Sequence, residues 1–305
     1  MTTRTLTEVT SGFHFLEGPR WHDGQLVFSD FYSYGVYSTP VGDGPVAREN
    51  VTKLASVPHQ PSGTGWLPDG RMLVVSQKDR RVLVRALDGT VSEYADLSGF
   101  TDYPLNDMVV DFAGRSYIGS FGFDVMSQDR AMLADLYLVD VDGTASVAAP
   151  GLYAPNGLLV TADGTTLLVN ETVGNRISAF DIHTDGTLGE RRDWARFGPT
   201  PDLAPVPVMF GQVAIALDGC TLDAEGAVWT ADAAGRRVVR VREGGEIVDE
   251  ISTGDDGAYA CVLGGDDGKT LFICVAPGFN SEERKASTEG RMVSVRVEVP
   301  HAGLP

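Results

Sequence analysis

Leu217-Asp218-Gly219, with Gly226 eight positions beyond Asp218 and the run Val228-Trp229-Thr230 after it, decides the fold, because the arrangement recurs three more times. Asn106-Asp107-Met108 leads to Gly114 and Pro155-Asn156-Gly157 to Gly164, both at an offset of 8, and Glu17-Gly18-Pro19 leads to Gly24 at an offset of 7. Each segment supplies one oxygen-bearing side chain, then a turn glycine, then a strand-like run.

Working outward from these four, the marking glycines are Gly24, Gly70, Gly114, Gly164, Gly226 and Gly268, at spacings of 46, 44, 50, 62 and 42. A β-rich run follows every one, as in Leu26-Val27-Phe28 and Leu271-Phe272-Ile273. Further strands are expected over 82–87, 136–141, 177–182, 238–241 and 292–297, with fourth strands over 91–94 and 246–251. No stretch sustains an apolar period of 3.6. Repeats in the forties, each of about four strands, read as an all-β, six-bladed β-propeller forming a single domain over 1–305. Two separate sandwiches would not explain the regular glycines. The lone strand at residues 5–9 is expected to close the ring by pairing with the last blade, which protects both edges.

The composition fits an ordinary globular chain: 305 residues, 43% hydrophobic and 22% charged. A net charge of −18 argues against nucleic acid and anionic membranes as partners. Residues 1–10 carry no apolar leader, and no run approaches the ~18 apolar residues of a membrane span. Cys220, Cys261 and Cys274 are an odd set without metal-type spacing, which predicts buried free thiols and a cytoplasmic location.

In a propeller, the start of each innermost strand faces the central channel at one end. Glu17, Asn106, Asn156 and Asp218 take that place in blades 1, 3, 4 and 5, and counting back from the glycines puts Ser62 and Ala260 there in blades 2 and 6. Singly, Pro-Asn-Gly or Leu-Asp-Gly reads as a tight turn. Four oxygen donors at one repeat position do not, and Glu17 is not a turn residue. Two carboxylates and two amide carbonyls make a hard, oxygen-only set for one divalent cation, with calcium expected first and magnesium, manganese or zinc as alternatives.

Glu17-Gly-Pro-Arg-Trp21, Asn106-Asp-Met-Val-Val-Asp111, Pro155-Asn-Gly-Leu158 and Asp218 through Gly226 resemble the senescence-marker-protein, gluconolactonase and luciferin-regenerating-enzyme (regucalcin-like) family, as do residues 175–181 and 235–240. The resemblance runs from about Leu16 to Val297. It implies a six-bladed propeller with one divalent metal in the channel and hydrolysis of lactones, with more distant relatives hydrolysing organophosphates. Glu17, Asn156 and Asp218 match the family's metal ligands, and Asn106 matches a residue that ligates metal or touches substrate. Asp218 also matches the proposed general base or nucleophile, the catalytic residue of this reading.

The chemistry suits these residues on its own terms: a lactone carbonyl needs polarising and a water needs activating, and a cation does both. Asp218 can accept the proton of an attacking water or attack directly. The expected partner is thus a small lactone or ester. Phosphotriester hydrolysis on the same metal and a non-catalytic calcium- or ligand-binding propeller are the alternatives. The sequence carries no signal for oligomeric state.

Sugar-lactone hydrolases of the family commonly place an arginine two residues before the blade-3 asparagine, where this chain has Pro104. With Phe121, Phe123, Met209 and Phe210 nearby in sequence patterns, the pocket is expected to prefer less polar substrates than gluconolactone. His59 and Gln60, just before the blade-2 inner strand, are expected at its rim. The proline-rich segment 198–213 in the long interval is a candidate lid or a passive surface loop.

Other residues suggest little. His14 and His22 read as structural, and His183 and His301 as solvated. Residues 78–81 read as a charged hairpin turn. No Gly-x-Ser-x-Gly elbow is present, and no glycine pattern opens a helix, so neither a serine hydrolase nor a dinucleotide site is supported.

Overall fold

The computed structural model describes residues 4–42 and 44–304. Six antiparallel sheets are arranged in a ring, and the chain runs outward through each. The innermost strands, in order, are Leu16–His22, Pro61–Trp66, Leu105–Val110, Pro155–Val160, Leu217–Asp223 and Gly257–Gly264. Each contacts the next, and the last returns to the first.

The marking glycines act as the spacing predicts. Gly24, Gly70, Gly114, Gly164, Gly226 and Gly268 all have φ between 68° and 91°, in the hairpin after an innermost strand. Only glycine adopts that conformation without steric cost.

Ring closure is also as expected. The N-terminal strand, Thr7–Phe13, pairs antiparallel with Gly290–Arg296 as the outer strand of blade 6. At the other end of the chain, His301–Ala302 pairs with Leu222 and Asp223 of the blade-5 inner strand. His301 is therefore part of a strand, and the expectation that it lies in a solvated tail is corrected.

The core lies between blades. Among the described residues, six apolar clusters lie between adjacent sheets, one per pair, as in Leu73, Val75 and Val82 of blade 2 against Leu105, Met108 and Ile118 of blade 3. Both faces of the inner strands are covered, so their sequences read as continuous buried runs. Two short helices, Val206–Phe210 and Ser281–Ala286, occur outside the sheets. Among the described residues, no helix is long and apolar enough to cross a membrane.

Candidate functional site

The innermost strands do not run straight at the channel mouth. The ladder shifts by one residue between Leu105 and Met108, between Pro155 and Leu158, and between Leu217 and Cys220. The same bulge falls between Glu17 and Arg20 in blade 1 and between Pro61 and Thr64 in blade 2. Asn106, Asn156 and Asp218 sit inside these bulges, and Glu17 sits immediately before its own. A bulge re-aims side chains and breaks their alternation, and Glu17, Asn106, Asn156 and Asp218 of blades 1, 3, 4 and 5 turn toward the channel.

The glycine after the donor residue has a second cause. A Cβ on Gly157 would lie 2.4 Å from the Asp218 carbonyl oxygen, and one on Gly63 would lie 2.3 Å from Asp107 Oδ1. Neighbouring inner strands touch here, and only glycine lets them. Blade 3 departs from the rule by carrying Asp107 in that place. Its carboxylate accepts from Arg20 Nη2 at 2.7 Å in an ion pair whose side chains are 4% and 8% exposed. Arg20 also donates to the carbonyls of Met108 at 2.7 Å, Thr64 at 3.0 Å and Pro19 at 2.9 Å, which fixes it across three blades.

Blade 6 differs from the count back from its glycine. Its bulge lies between Ala258 and Ala260, so Tyr259 takes the irregular position and reaches the cavity, while Ala260 stays in the ladder against Cys274. Ala260 is packed against Gly219, where an added Cβ would come within 2.5 Å of the Ala260 Cβ. Ser62 is buried and is not part of the cavity wall.

The cavity at this end has a volume of about 540 Å³, and Glu17, Asn106, Asn156 and Asp218 all line it. Its walls are mainly aromatic: Phe15 and Tyr259 are 4.6 Å apart between ring centroids, and Phe31 is 5.4 Å from Phe15. Gln60, Pro104, Phe121, Phe123 and Phe210 also line it. Two residues expected beside them do not. His59 is exposed, 4.0 Å from Asp79, and is not part of the cavity wall. Met209 is fully buried behind the wall in a cluster with Phe123 and Val206, because the short helix of segment 198–213 turns Phe210 rather than Met209 to the cavity. That segment is anchored by the Ala131 amide donating to the Ala204 carbonyl at 2.8 Å.

The sequence reading missed Phe15, Phe31, Gln77, Tyr259 and Lys78, which also line the cavity. Lys78 lies in the turn read as a charged hairpin; desolvation, then the nearby Lys285, lowers its pKa. A strand-end aromatic two residues before Glu17 was the available signal for Phe15. Gln77 carried none, since only the folded hairpin brings it beside Gln60.

The electrostatics are those of two carboxylates held together out of water. Burial, then the facing Asp218 charge and Asp107, push Glu17 well above the usual carboxylate range. Burial pushes Asp218 up as well, against a hydrogen bond from the Asn156 side chain that favours its charged form. Asp218 Oδ1 and Asn106 Nδ2 are buried without a partner. Asn170 Nδ2 holds the Asp218 backbone by donating to its carbonyl at 2.5 Å and to Thr230 Oγ1 at 2.8 Å. Cys220 is buried and its thiol pKa is raised by desolvation, so it is not a ready nucleophile.

Among the described residues no group of three or more His, Cys, Asp or Glu side chains is placed to hold a metal. The present set has two carboxylates and two amides. An orphaned Asp218 oxygen and two destabilised carboxylates on one cavity are what a hard cation with oxygen preference would satisfy.

Comparison with known proteins gives one consistent result. The family model described as "SMP-30/Gluconolactonase/LRE-like region" matches residues 15–277. The pentonolactonase XacC of Haloferax volcanii is 26% identical over 272 residues, covering 86% of this chain and 81% of that one. A luciferin-regenerating enzyme superposes with a TM-score of 0.78 at 18% identity, covering 98% of both chains. The calcium-binding protein regucalcin from Agrobacterium tumefaciens gives 0.76 at 18% identity, with the same coverage. Both superpositions identify the six-bladed fold.

Proposed function

This chain belongs to the SMP-30/gluconolactonase/LRE-like family, and from that premise we propose that it is a divalent-metal-dependent lactonase acting in the aromatic cavity. The observation that carries the reading is the convergence of Glu17, Asn106, Asn156 and Asp218 from four blades on one cavity, with Asp218 left half unpartnered. The lactonase XacC among its relatives supports the reaction type. Regucalcin, a calcium-binding protein, supports calcium as the first ion to try.

Glu17, Asn156 and Asp218 would hold the cation, with Asn106 as a fourth donor or a substrate contact. The bound cation would polarise the lactone carbonyl and acidify a water. The Asn156 amide beside Asp218 favours its charged form, and Asp218 accepts the proton from the attacking water or attacks the carbonyl itself. The aromatic walls exclude water and bind an apolar substrate body. Pro104 in the wall supplies no donor for sugar hydroxyls, which favours substrates less polar than gluconolactone.

The test is a hydrolysis panel with calcium, magnesium, manganese or zinc supplied. It contains alkyl lactones, gluconolactone, simple esters and phosphotriesters. The reading expects ring opening of alkyl lactones above the others. Turnover of phosphotriesters alone would replace it with the phosphotriesterase alternative, and metal binding with no turnover would make the protein a binding propeller.

A further inference from the structure

Blade 2 supplies no carboxylate or amide at the common donor position, yet it places two glutamines in the cavity wall. Gln60 immediately precedes its innermost strand, and Gln77 immediately follows the second, one step beyond the Pro61–Ser76 ladder pair. Both line the cavity and are 6% and 2% exposed. Gln60 Nε2 donates to Gln77 Oε1 at 2.6 Å, and the remaining Gln60 Oε1 and Gln77 Nε2 are buried with no partner.

The orientation of the amides does not alter this result. Inverting both reverses the shared hydrogen bond and still leaves one carbonyl and one NH2 group unpaired. Inverting one sets two oxygens or two NH2 groups against each other. Buried polar groups without partners are uncommon and call for a reason.

The backbone adds an independent observation. Gln60 has φ 76°, in the left-handed region that favours glycine. It is locked there by its own amide donating to the Val57 carbonyl at 3.1 Å and by the Gln77 amide donating to the Gln60 carbonyl at 2.9 Å. A strained residue with an unsatisfied side chain at a cavity wall is the pattern of a residue kept for binding.

We propose that Gln60 and Gln77 form a clasp that reads a neutral hydroxyl on the substrate, so that the substrate class is a hydroxylated lactone with an otherwise apolar body. A hydroxyl accepts from Gln77 and donates to Gln60 through one oxygen. A carboxylate only accepts and would leave the Gln60 oxygen facing a negative charge; an ammonium only donates and would leave the Gln77 amide unmet. Sites built to hydrogen-bond a substrate hydroxyl discriminate strongly against the analogue that lacks it. The clasp deepens the lactonase reading and rests on it for the ring, while the hydroxyl assignment rests on the glutamines alone.

The test uses pairs of alkyl γ- and δ-lactones that differ by one ring hydroxyl, with wild-type protein, Gln60→Leu/Gln77→Leu and Gln60→Gly. Hydrolysis is measured with calcium present, and binding is measured by calorimetry on the same lactones in an Asp218→Asn background. The clasp predicts that wild type prefers the hydroxylated member by at least about tenfold in kcat/KM, that the preference falls to near one in the double variant, and that calorimetry shows the same collapse. Replacing both amides with apolar groups removes their one shared hydrogen bond together with two unpaired buried atoms, so the melting temperature should not fall. If the double variant does not fold, Gln60→Gly decides, since it removes the acceptor while relieving the backbone. A wild-type preference near one, or one that survives both variants, overturns the clasp. Absence of turnover on every lactone contradicts the lactonase reading, and the calorimetric difference still decides the hydroxyl.

Discussion

Arg20 and Asp107 show how much of the site's chemistry lies in residues that hold no ligand. Their ion pair is buried beneath two further carboxylates, and removing one partner of such a pair leaves an uncompensated charge. Arg20→Met should cost about 3–5 kcal/mol of stability, measured by urea unfolding, and Arg20→Met with Asp107→Asn should recover much of it. The raised carboxylates make a pH prediction with a definite sign. Glu17 and Asp218 have folded values above their unfolded ones, so in chelator the folded protein keeps protons that the unfolded chain has released. Stability is therefore greatest below the ordinary carboxylate range of about 4 as far as these two groups decide it, and falls as pH rises through their raised values. Melting curves across pH in chelator should show that decline, and saturating calcium should reverse it by a few degrees. That Glu17, Asn106, Asn156 and Asp218 meet at one cavity was legible in the sequence, because they repeat at a nearly fixed offset from a glycine. Arg20, Gln77 and Tyr259 were not, since their importance comes from partners 87, 17 and 244 positions away in the chain, respectively Asp107, Gln60 and Phe15.

At the scale of the strand, the two kinds of glycine predict opposite outcomes. Gly24 has φ 73° with open space where a Cβ would go, so Gly24→Ala should cost only about 1–2 kcal/mol of backbone strain and leave lactone turnover intact. Gly157 has ordinary φ but no room: its Cβ would strike the Asp218 carbonyl and sit 2.9 Å from Cys220 Sγ. Gly157→Ala should cost about 1–3 kcal/mol and also lower kcat, because the strand carrying Asp218 must shift. Unfolding curves and steady-state rates on the two variants make the comparison. The hairpin glycines could be read from their sequence neighbours alone. The bulges could not, because the extra residue in a strand is defined only against its partner, and this is why Ala260 was expected where Tyr259 stands.

The whole molecule depends on closing a ring whose six apolar clusters each need two blades. The closing strand buries Val9 and Phe13 and covers the edge of Gly290–Arg296. Deleting residues 1–13 should expose that edge and give aggregation or a large fall in melting temperature, visible by size-exclusion chromatography and calorimetry. Ring and closure were legible because a repeat fold writes its period into the chain. The cavity walls were legible only in part, because loops from different blades meet there with no shared spacing; Phe210 lines the cavity and Met209, its neighbour, does not. The proposed function joins the ring to the chemistry: Glu17, Asn106, Asn156 and Asp218, from four blades, would hold one cation in the shared cavity. Its most direct test is the rate of alkyl-lactone opening by chelated protein, the same protein reloaded with calcium, and reloaded Asp218→Asn. The account predicts loss of activity on chelation, recovery on reloading, and a rate about 10²–10⁴-fold lower in the variant; full activity in chelator, or an Asp218→Asn protein that turns over like wild type, would contradict it.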